Sequence, residues 1–495
     1  MMTSDSGETK KDDSPEPLGD RWLICPICKQ PNPAGTEYCK YCWGASLHQV
    51  VPITKHEADD FAKQWVKIKK RRRIMRISFL VLVPIILLLG MGFLYIYSYT
   101  DLLFGPVSQM NSNSRADDWA MFRNNLDRSG SAATSLTQPQ GKVQWSFQTG
   151  GEIHSSPAMA NGVVFFGSQD HKFYAVDATT GEMHWEFQTG SVINSSPAVV
   201  NGVVYFGSND GYFYALDDIS GRELWVFQTI YPVESSPAVA NGRVYFGADN
   251  YYLYCLDARK GTQLWKFNTQ GWVTSSPVVA NGIVYVGSGD GSCYALNASD
   301  GRFRLKFFST GGGIISSPAV NQGEVYFTSR GALYTLNGKG RTWPWEDSIR
   351  PLWIQMWAIG LAPVPPRISG APWAKELLID TNNPVSGRTT YSDGTPIVTD
   401  ANIYATGDNL VYSIDKVTHE FRWVFQTQGK IESSPSLANN TLYVGSIDGD
   451  LYAINAQNGT KLWDLIPGGA ITSSPAYSDG EIYIGSNDGK MYAIK

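Results

Sequence analysis

One phrase recurs eight times in this chain at intervals of about 40 residues. Its marker is a proline, usually within Ser-Ser-Pro: Pro157, Pro197, Pro237, Pro277, Pro318, Pro396, Pro435 and Pro475. A tyrosine follows each 16 or 17 positions later: Tyr174, Tyr214, Tyr254, Tyr294, Tyr334, Tyr412, Tyr452 and Tyr492. Residues 195–229, SSPAVVNGVVYFGSNDGYFYALDDISGRELWVFQT, show the unit. Asn-Gly is a two-residue hairpin turn, since both residues accept positive φ. VVYFGS and YFYALD are strands separated by a turn at NDG, and ELWVFQT is a further strand after SG. With the extended SSPAV segment, each unit holds four antiparallel strands. Eight such units predict an all-β, eight-bladed propeller of four-stranded blades.

The third strand suggests how blades stack. Its central position is small in every unit: Ala175, Ala215, Cys255, Ala295, Thr335, Ser413, Ala453 and Ala493. A small residue there lets a neighbouring sheet nest without voids. The fourth strands carry Trp185, Trp225, Trp265, Leu305 (in the Trp position), Trp345, Trp423 and Trp463, which is seven for eight units. The eighth is Trp145, ahead of the first Ser-Ser-Pro, so the N-terminal strand is expected to complete the last blade and close the ring.

YAVDATTGEMHW, residues 174–185, resembles the A-x-D-x-x-x-G-x-x-x-W repeat of pyrroloquinoline quinone (PQQ) propellers, as in quinoprotein alcohol dehydrogenases. WAMFRNNLDRSG, residues 119–130, resembles the lead-in of non-enzymatic members of that family, including the lipoprotein of the outer-membrane barrel-assembly machinery. The resemblance spans about 119–495 and implies the fold. It says less about function, because the repeated residues are packing residues. The family's enzymes hold PQQ over a Trp floor with Ca²⁺ and an Asp base, and many carry an adjacent Cys-Cys pair that this chain lacks.

Ahead of the repeats, residues 77–99 form an apolar run of 23 residues without a charge. At about 1.5 Å per residue a helix of that length crosses a bilayer core of about 30 Å. The basic stretch KIKKRRRIMR, residues 67–76, lies directly before it, which places the N-terminus in the cytoplasm and the propeller outside. The same cations can also meet anionic lipid headgroups. Thr54 and Glu57 form a capping-box pattern, so the helix is expected to start near residue 55. Cys25, Cys28, Cys39 and Cys42 are spaced C-x2-C, ten residues, C-x2-C. Four thiolates so spaced can enclose a structural Zn²⁺, as in prokaryotic zinc ribbons, leaving no open catalytic position. Cys255 and Cys293 are read as small buried apolar groups on strands too far apart for a disulfide. The expected organisation is a disordered polar tail (1–20), a zinc ribbon (21–48), a basic juxtamembrane helix (49–76), the membrane helix (77–99), a linker (100–118) and the propeller (119–495), with a Trp/Pro-rich insertion at 346–392.

Departures from the repeat are the candidate sites. Three residues before each marker proline the series reads His154, Asn194, Glu234, Thr274, Ile315, Asp393, Glu432 and Thr472. A variable polar position on the innermost strand should ring the channel mouth. There Glu234, Asp393 and Glu432, with His154 and Asn194, offer oxygen and nitrogen ligands for a cation such as Ca²⁺. The insertion supplies Trp353, Trp357, Trp373, Arg350 and Arg367, a composition suited to a partner surface. Residues 101–495 carry 26 Lys and Arg against 35 Asp and Glu, which argues against nucleic acid as the propeller's ligand. The expected function is a membrane-anchored, extracytoplasmic, non-catalytic binding or scaffold protein of a prokaryote. The alternatives are a PQQ- and Ca²⁺-dependent dehydrogenase and a transmembrane sensor with the zinc ribbon as its output.

Overall fold

The computed structural model describes residues 21–42, 45–99, 118–132, 138–309, 313, 316–329, 332–342, 352–353, 355–362, 373–376 and 394–495, without the side chains of 94–99 and 373–376. It divides into two compact units, Met1–Ile96 and Tyr97–Lys495.

In the first unit Arg21–Ile24 pairs antiparallel with Pro31–Pro33 on one side and Ile53–Thr54 on the other. The ribbon therefore extends to Thr54 rather than ending at residue 48, because Ile53 lies opposite Trp22. Helix α1, Lys55–Tyr99, follows at once. The capping box forms: the Thr54 N–H donates to Glu57 Oε2 at 2.9 Å, and the Glu57 N–H donates to Thr54 Oγ1 at 3.3 Å. These bonds satisfy two otherwise free backbone donors at the helix start, and they hold the Glu57 carboxyl below its ordinary range. Pro84 lies inside α1 without ending it. The helix is long and apolar enough to cross a membrane.

The second unit contains eight four-stranded antiparallel sheets, numbered here as blades 1 to 8 in the order of their marker prolines. Blade 2 is Ala198–Val200, Val203–Gly207, Tyr212–Asp217 and Glu223–Gln228. Its hairpin turns on Asn201 (φ 55°) and Gly202 (φ 79°), the left-handed pair that Asn-Gly favours. Blade 8 is completed by Val143–Gln148, whose Trp145 lies opposite Ala493, so the ring closes as the repeat count requires.

Each third strand is buried on both faces by its neighbours. Phe173 of blade 1 stacks on Phe206 of blade 2 at 4.1 Å, and Phe213 of blade 2 on Phe246 of blade 3 at 3.9 Å. Ala175 belongs to the same cluster as Phe206 and Tyr214, where a larger side chain would push the sheets apart. The fourth-strand tryptophans lock the blades in sequence. Trp185 donates its indole N–H to Asp218 O at 3.0 Å, and Trp225 donates to Ala258 O at 3.0 Å. The rings of Trp145, Trp185, Trp225, Trp265 and Trp423 each lie against a glycine of the next blade. A Cβ on Gly221 would come within 2.6 Å of Trp185. The repeat's Gly-to-Trp spacing is thus an inter-blade contact.

Ser-Ser-Pro has an equally definite reason. The second hydroxyl accepts a backbone N–H from the preceding blade, passing round the axis: Ser156 to Ser196, Ser196 to Ser236, Ser236 to Ser276 and Ser276 to Ser317, at 2.9–3.0 Å. The sequence resumes from Thr395 to Ser434, Ser434 to Ser474 and back to Ser156, at 2.8–2.9 Å. Ser and Thr serve here because a buried backbone donor needs an acceptor on a short side chain.

Blade 5 corrects the sequence reading. Its fourth strand is Trp373–Glu376, with Trp373 opposite Thr335, the register that Trp225 has with Ala215. Trp373, not Trp345, marks that strand. Tyr334 and Trp373 are 39 positions apart where Tyr174 and Trp185 are 11. Most of the extra chain therefore lies between the third and fourth strands. It begins along blade 4, whose outer strand, Phe303–Phe308, is largely buried where the outer strand of blade 2 is half exposed. There the Thr342 N–H donates to Arg304 O at 3.0 Å, and Thr342 Oγ1 accepts the Lys306 N–H at 2.8 Å. Residues 352–353 and 355–358 are helical, with Trp353 half-buried and Trp357 exposed. Arg350, Arg367 and Asp393 lie outside the described residues.

Candidate metal centre and axial channel

The two Cys-x2-Cys turns bring four sulfurs together, with all ligand atoms within 4.8 Å of one another. Cys25 Sγ and Cys42 Sγ are 3.7 Å apart, and Cys28 Sγ and Cys39 Sγ 3.4 Å. Sulfurs at about 2.3 Å from a tetrahedral Zn²⁺ would be about 3.8 Å apart, so the donor set fits that ion. Backbone N–H groups already point at the sulfurs, from Cys28 to Cys25 and from Tyr41 to Cys39, each at 3.4 Å. Burial pushes the Cys28 thiol up to about 12. Burial acts the same way on Cys39, but N–H donors from Tyr41 and Cys42 outweigh it and bring that thiol down to about 6. Asn32, fully buried, was not foreseen. Its amide donates to Cys39 Sγ at 3.5 Å and its Oδ1 accepts the Lys40 N–H at 2.9 Å, holding the second turn in place. Cys255 and Cys293 are free, buried thiols, as expected.

The propeller's axis holds a feature that charge reading missed. Residues 118–132 run across the inner strands on their proline side. Ala120 O accepts from Val199 N of blade 2, Leu126 O from Val279 N of blade 4, Asp127 O from Val320 N of blade 5, and Gly130 O from Leu437 N of blade 7. Arg123 and Arg128 are almost completely buried beneath this segment. Arg128 Nε donates to Pro277 O at 3.2 Å, and its Nη2 donates to Ser236 O, Pro237 O and Pro277 O, each at 3.1 Å. Its Nη1 bonds Phe122 O. Arg123 donates to Pro396 O at 3.1 Å and to Pro435 O. Two guanidiniums thus link the marker prolines of blades 3, 4, 6 and 7. Burial lowers the pKa of both from the ordinary arginine value. The only sequence signal was the FRNNLDRSG phrase itself, which the family resemblance singled out without a physical role.

The variable series lies three residues ahead of the marker prolines. Glu152 and His154 Nε2 are 2.8 Å apart, and Gln169 Nε2 meets His154 Nδ1 at 2.9 Å. Gln169 reaches Asn194 Oδ1 at 3.4 Å, and Asn194 reaches Glu234 Oε1 at 3.4 Å, which also accepts from Asn209 Nδ2 at 2.9 Å. The structure therefore joins His154 to Asn194 through Gln169 and Asn194 to Glu234 directly, with Asn209 as a second donor to Glu234; sequence reasoning missed Gln169 and Asn209. Their signal was available: the third residue of GSQD, GSND, GSGD and GSID varies while its neighbours hold. Glu432 stands apart, paired with Lys430 at 2.9 Å. Among the described residues the cysteines alone gather three or more His, Cys, Asp or Glu side chains within reach of one ion. Burial, with Glu234 nearby, raises the Asp249 carboxyl to about 6, and its Oδ1 has no hydrogen-bond partner. PQQ is a flat tricarboxylate. Among the described residues the series offers it carboxylates bonded to His154, Asn209 and Lys430, and Asn194 is bonded to Gln169 and Glu234.

Comparison with known proteins agrees with the architecture. The family model described as outer membrane protein assembly factor BamB matches residues 129–249, 230–351 and 350–495. BamB from Moraxella catarrhalis superposes with a TM-score of 0.56 at 16% identity, over 72% of this chain and 97% of its own. A europium-containing methanol dehydrogenase gives 0.63 at 12% identity, over 77% and 98%. The quinohemoprotein alcohol dehydrogenase of Comamonas testosteroni gives 0.63 at 14%, over 77% and 81%. At these identities the structural likeness speaks for the fold. A tetrathionate hydrolase of Acidithiobacillus ferrooxidans is 31% identical over 55 residues, only 11% of each chain. With the family model covering most of its length, this chain belongs to the BamB-type family of PQQ-repeat β-propellers.

Proposed function

We propose that this protein is a membrane-anchored, non-catalytic binding or scaffold protein, with the propeller outside the cytoplasm and the cysteine ribbon inside. The observation that carries the reading is the lead-in: Arg123 and Arg128 pin it to the inner-strand carbonyls of blades 3, 4, 6 and 7, while Asn194, Asn209 and Glu234 of the variable series are bonded to one another or to neighbouring turns. A quinoprotein dehydrogenase would need such residues to receive a tricarboxylate. The repeated residues are otherwise committed to holding blade against blade. In the ribbon Cys25, Cys28, Cys39 and Cys42 would hold a Zn²⁺, which supplies a structural cross-link to a unit with a small core. The family's name attaches to assembly in the outer membrane. For this chain the corresponding reading is a partner protein outside the cytoplasm, sought first at the insertion, where Leu352, Trp357, Ile359 and Leu361 are exposed.

The helix α1 is read as the single membrane span, oriented by the cations of residues 67–76. Topology is tested by Ile219→Cys, a site 84% exposed on the propeller. It should react with a membrane-impermeant maleimide on intact cells, and labelling only after lysis would reverse the orientation. Function is tested by titrating the purified protein with PQQ and Ca²⁺ and assaying dye reduction with alcohols. Stoichiometric binding with turnover lost in Glu234→Ala would establish an enzyme instead.

A further inference from the structure

The seven cations ahead of the apolar run do more than orient it. Lys67, Lys69, Lys70, Arg71, Arg72, Arg73 and Arg76 all lie on α1 and are exposed. Among the described residues none of them forms an ion pair; the acids of α1 pair only with His56 and Lys63. At about 100° per residue they point to all sides of the helix, and the widest gap between neighbouring directions, from Arg71 to Arg72, is about 100°. A protein or nucleic-acid partner approaches a helix from one side, and a basic face would suffice for it. A collar is what surrounding lipid demands.

The axial extent agrees. Nine residue steps from Lys67 to Arg76 cover about 14 Å. The headgroup layer of one leaflet is about 5–8 Å thick, and the surface potential of anionic lipid decays over about 8 Å more at physiological salt. Val66, Ile68, Ile74 and Met75 stand exposed among the cations. Gln64, Lys67, Ile68, Lys70, Arg71 and Ile74 line a groove on one flank, three cations beside two apolar side chains. That pairing suits a phosphate with the head of its acyl chain.

We propose that residues 67–76 form a collar that binds anionic phospholipid headgroups of the leaflet α1 enters, selecting an annulus of acidic lipid around the protein. This rests on the reading of α1 as a membrane span.

The test uses the full chain reconstituted in phosphatidylcholine bilayers containing 30% phosphatidylglycerol, with spin-labelled phosphatidylglycerol or phosphatidylcholine as probe. The motionally restricted fraction should favour phosphatidylglycerol on the order of threefold or more at low salt, and the preference should shrink at high salt. Replacing Lys67, Lys69, Lys70, Arg71, Arg72 and Arg73 by Gln should abolish it. Arg71→Lys/Arg72→Lys/Arg73→Lys should keep it, because the charge remains. Equal restriction of both probes in the wild type, or an unchanged preference in the Gln variant, overturns the proposal. So does inorganic phosphate that displaces the labelled lipid better than chloride at matched ionic strength, or RNA that does so, since either would make the collar a site for a soluble ligand. Carbonate extraction is read separately: release of the protein from the bilayer refutes the span, while the probe preference reports on the collar.

Discussion

Arg128→Met tests the axial pin. Methionine keeps most of the length and apolar stem but removes every donor. The structure gives Arg128 bonds to Phe122, Ser236, Pro237 and Pro277, with the guanidinium also over the Phe122 ring at 5.1 Å. Removing it leaves buried carbonyls without a donor, at about 1–3 kcal/mol each, set against the relief of not burying a charge. Several acceptors lose their donor at once, so the loss should win, by about 3–5 kcal/mol. A domain of this size has an unfolding entropy of roughly 0.8 kcal/mol per kelvin, and the melting temperature should fall by about 4–6 °C. Scanning calorimetry of the full chain in detergent measures this. Proteolysis within residues 118–132 should rise in parallel. Arg128→Lys should not restore the wild type, because one ammonium cannot span two blades. An unchanged or raised melting temperature for Arg128→Met would refute the pin and mean that the buried charge is a net burden.

The purified protein should contain about one equivalent of zinc, and Cys39→Ser should lose it; a metal-free wild type with an ordered ribbon would refute the site. Gly181→Ala and Gly162→Ala both place a side chain at positive φ, but only at Gly181 would the new Cβ meet a ring, 2.7 Å from Trp145. Gly181→Ala should therefore destabilise by clearly more than the ~1 kcal/mol expected of Gly162→Ala in a melt. Asp249 has a raised folded pKa, so its unfavourable charge is felt above about pH 6 and relieved as pH falls towards its unfolded value. Asp249→Asn should raise the melting temperature at pH 7.5 and leave it nearly unchanged at pH 4; a gain at both would place the effect elsewhere.

What the sequence determined by itself is what local pattern or strict repetition encodes. The period set eight blades, and the seven-to-eight mismatch of fourth strands placed Trp145 in the last blade. Thr54 and Glu57 announced their helix start, and the cysteine spacing announced the ribbon, because those partners lie within a few residues or share a short loop. The tertiary structure alone decided three things. It chose Trp373 over Trp345 for blade 5, since an insertion of free length erases the spacing and only pairing with Thr335 settles the strand. It joined His154 to Asn194 of the next blade through Gln169, and gave Glu234 donors from Asn194 and Asn209 of the blade before it. It buried Arg123 and Arg128, whose acceptors are contributed by blades as far as 312 positions along the chain. A guanidinium enters an interior only where enough carbonyls converge on it. Here the closed ring assembles them, and no window of local sequence contains them.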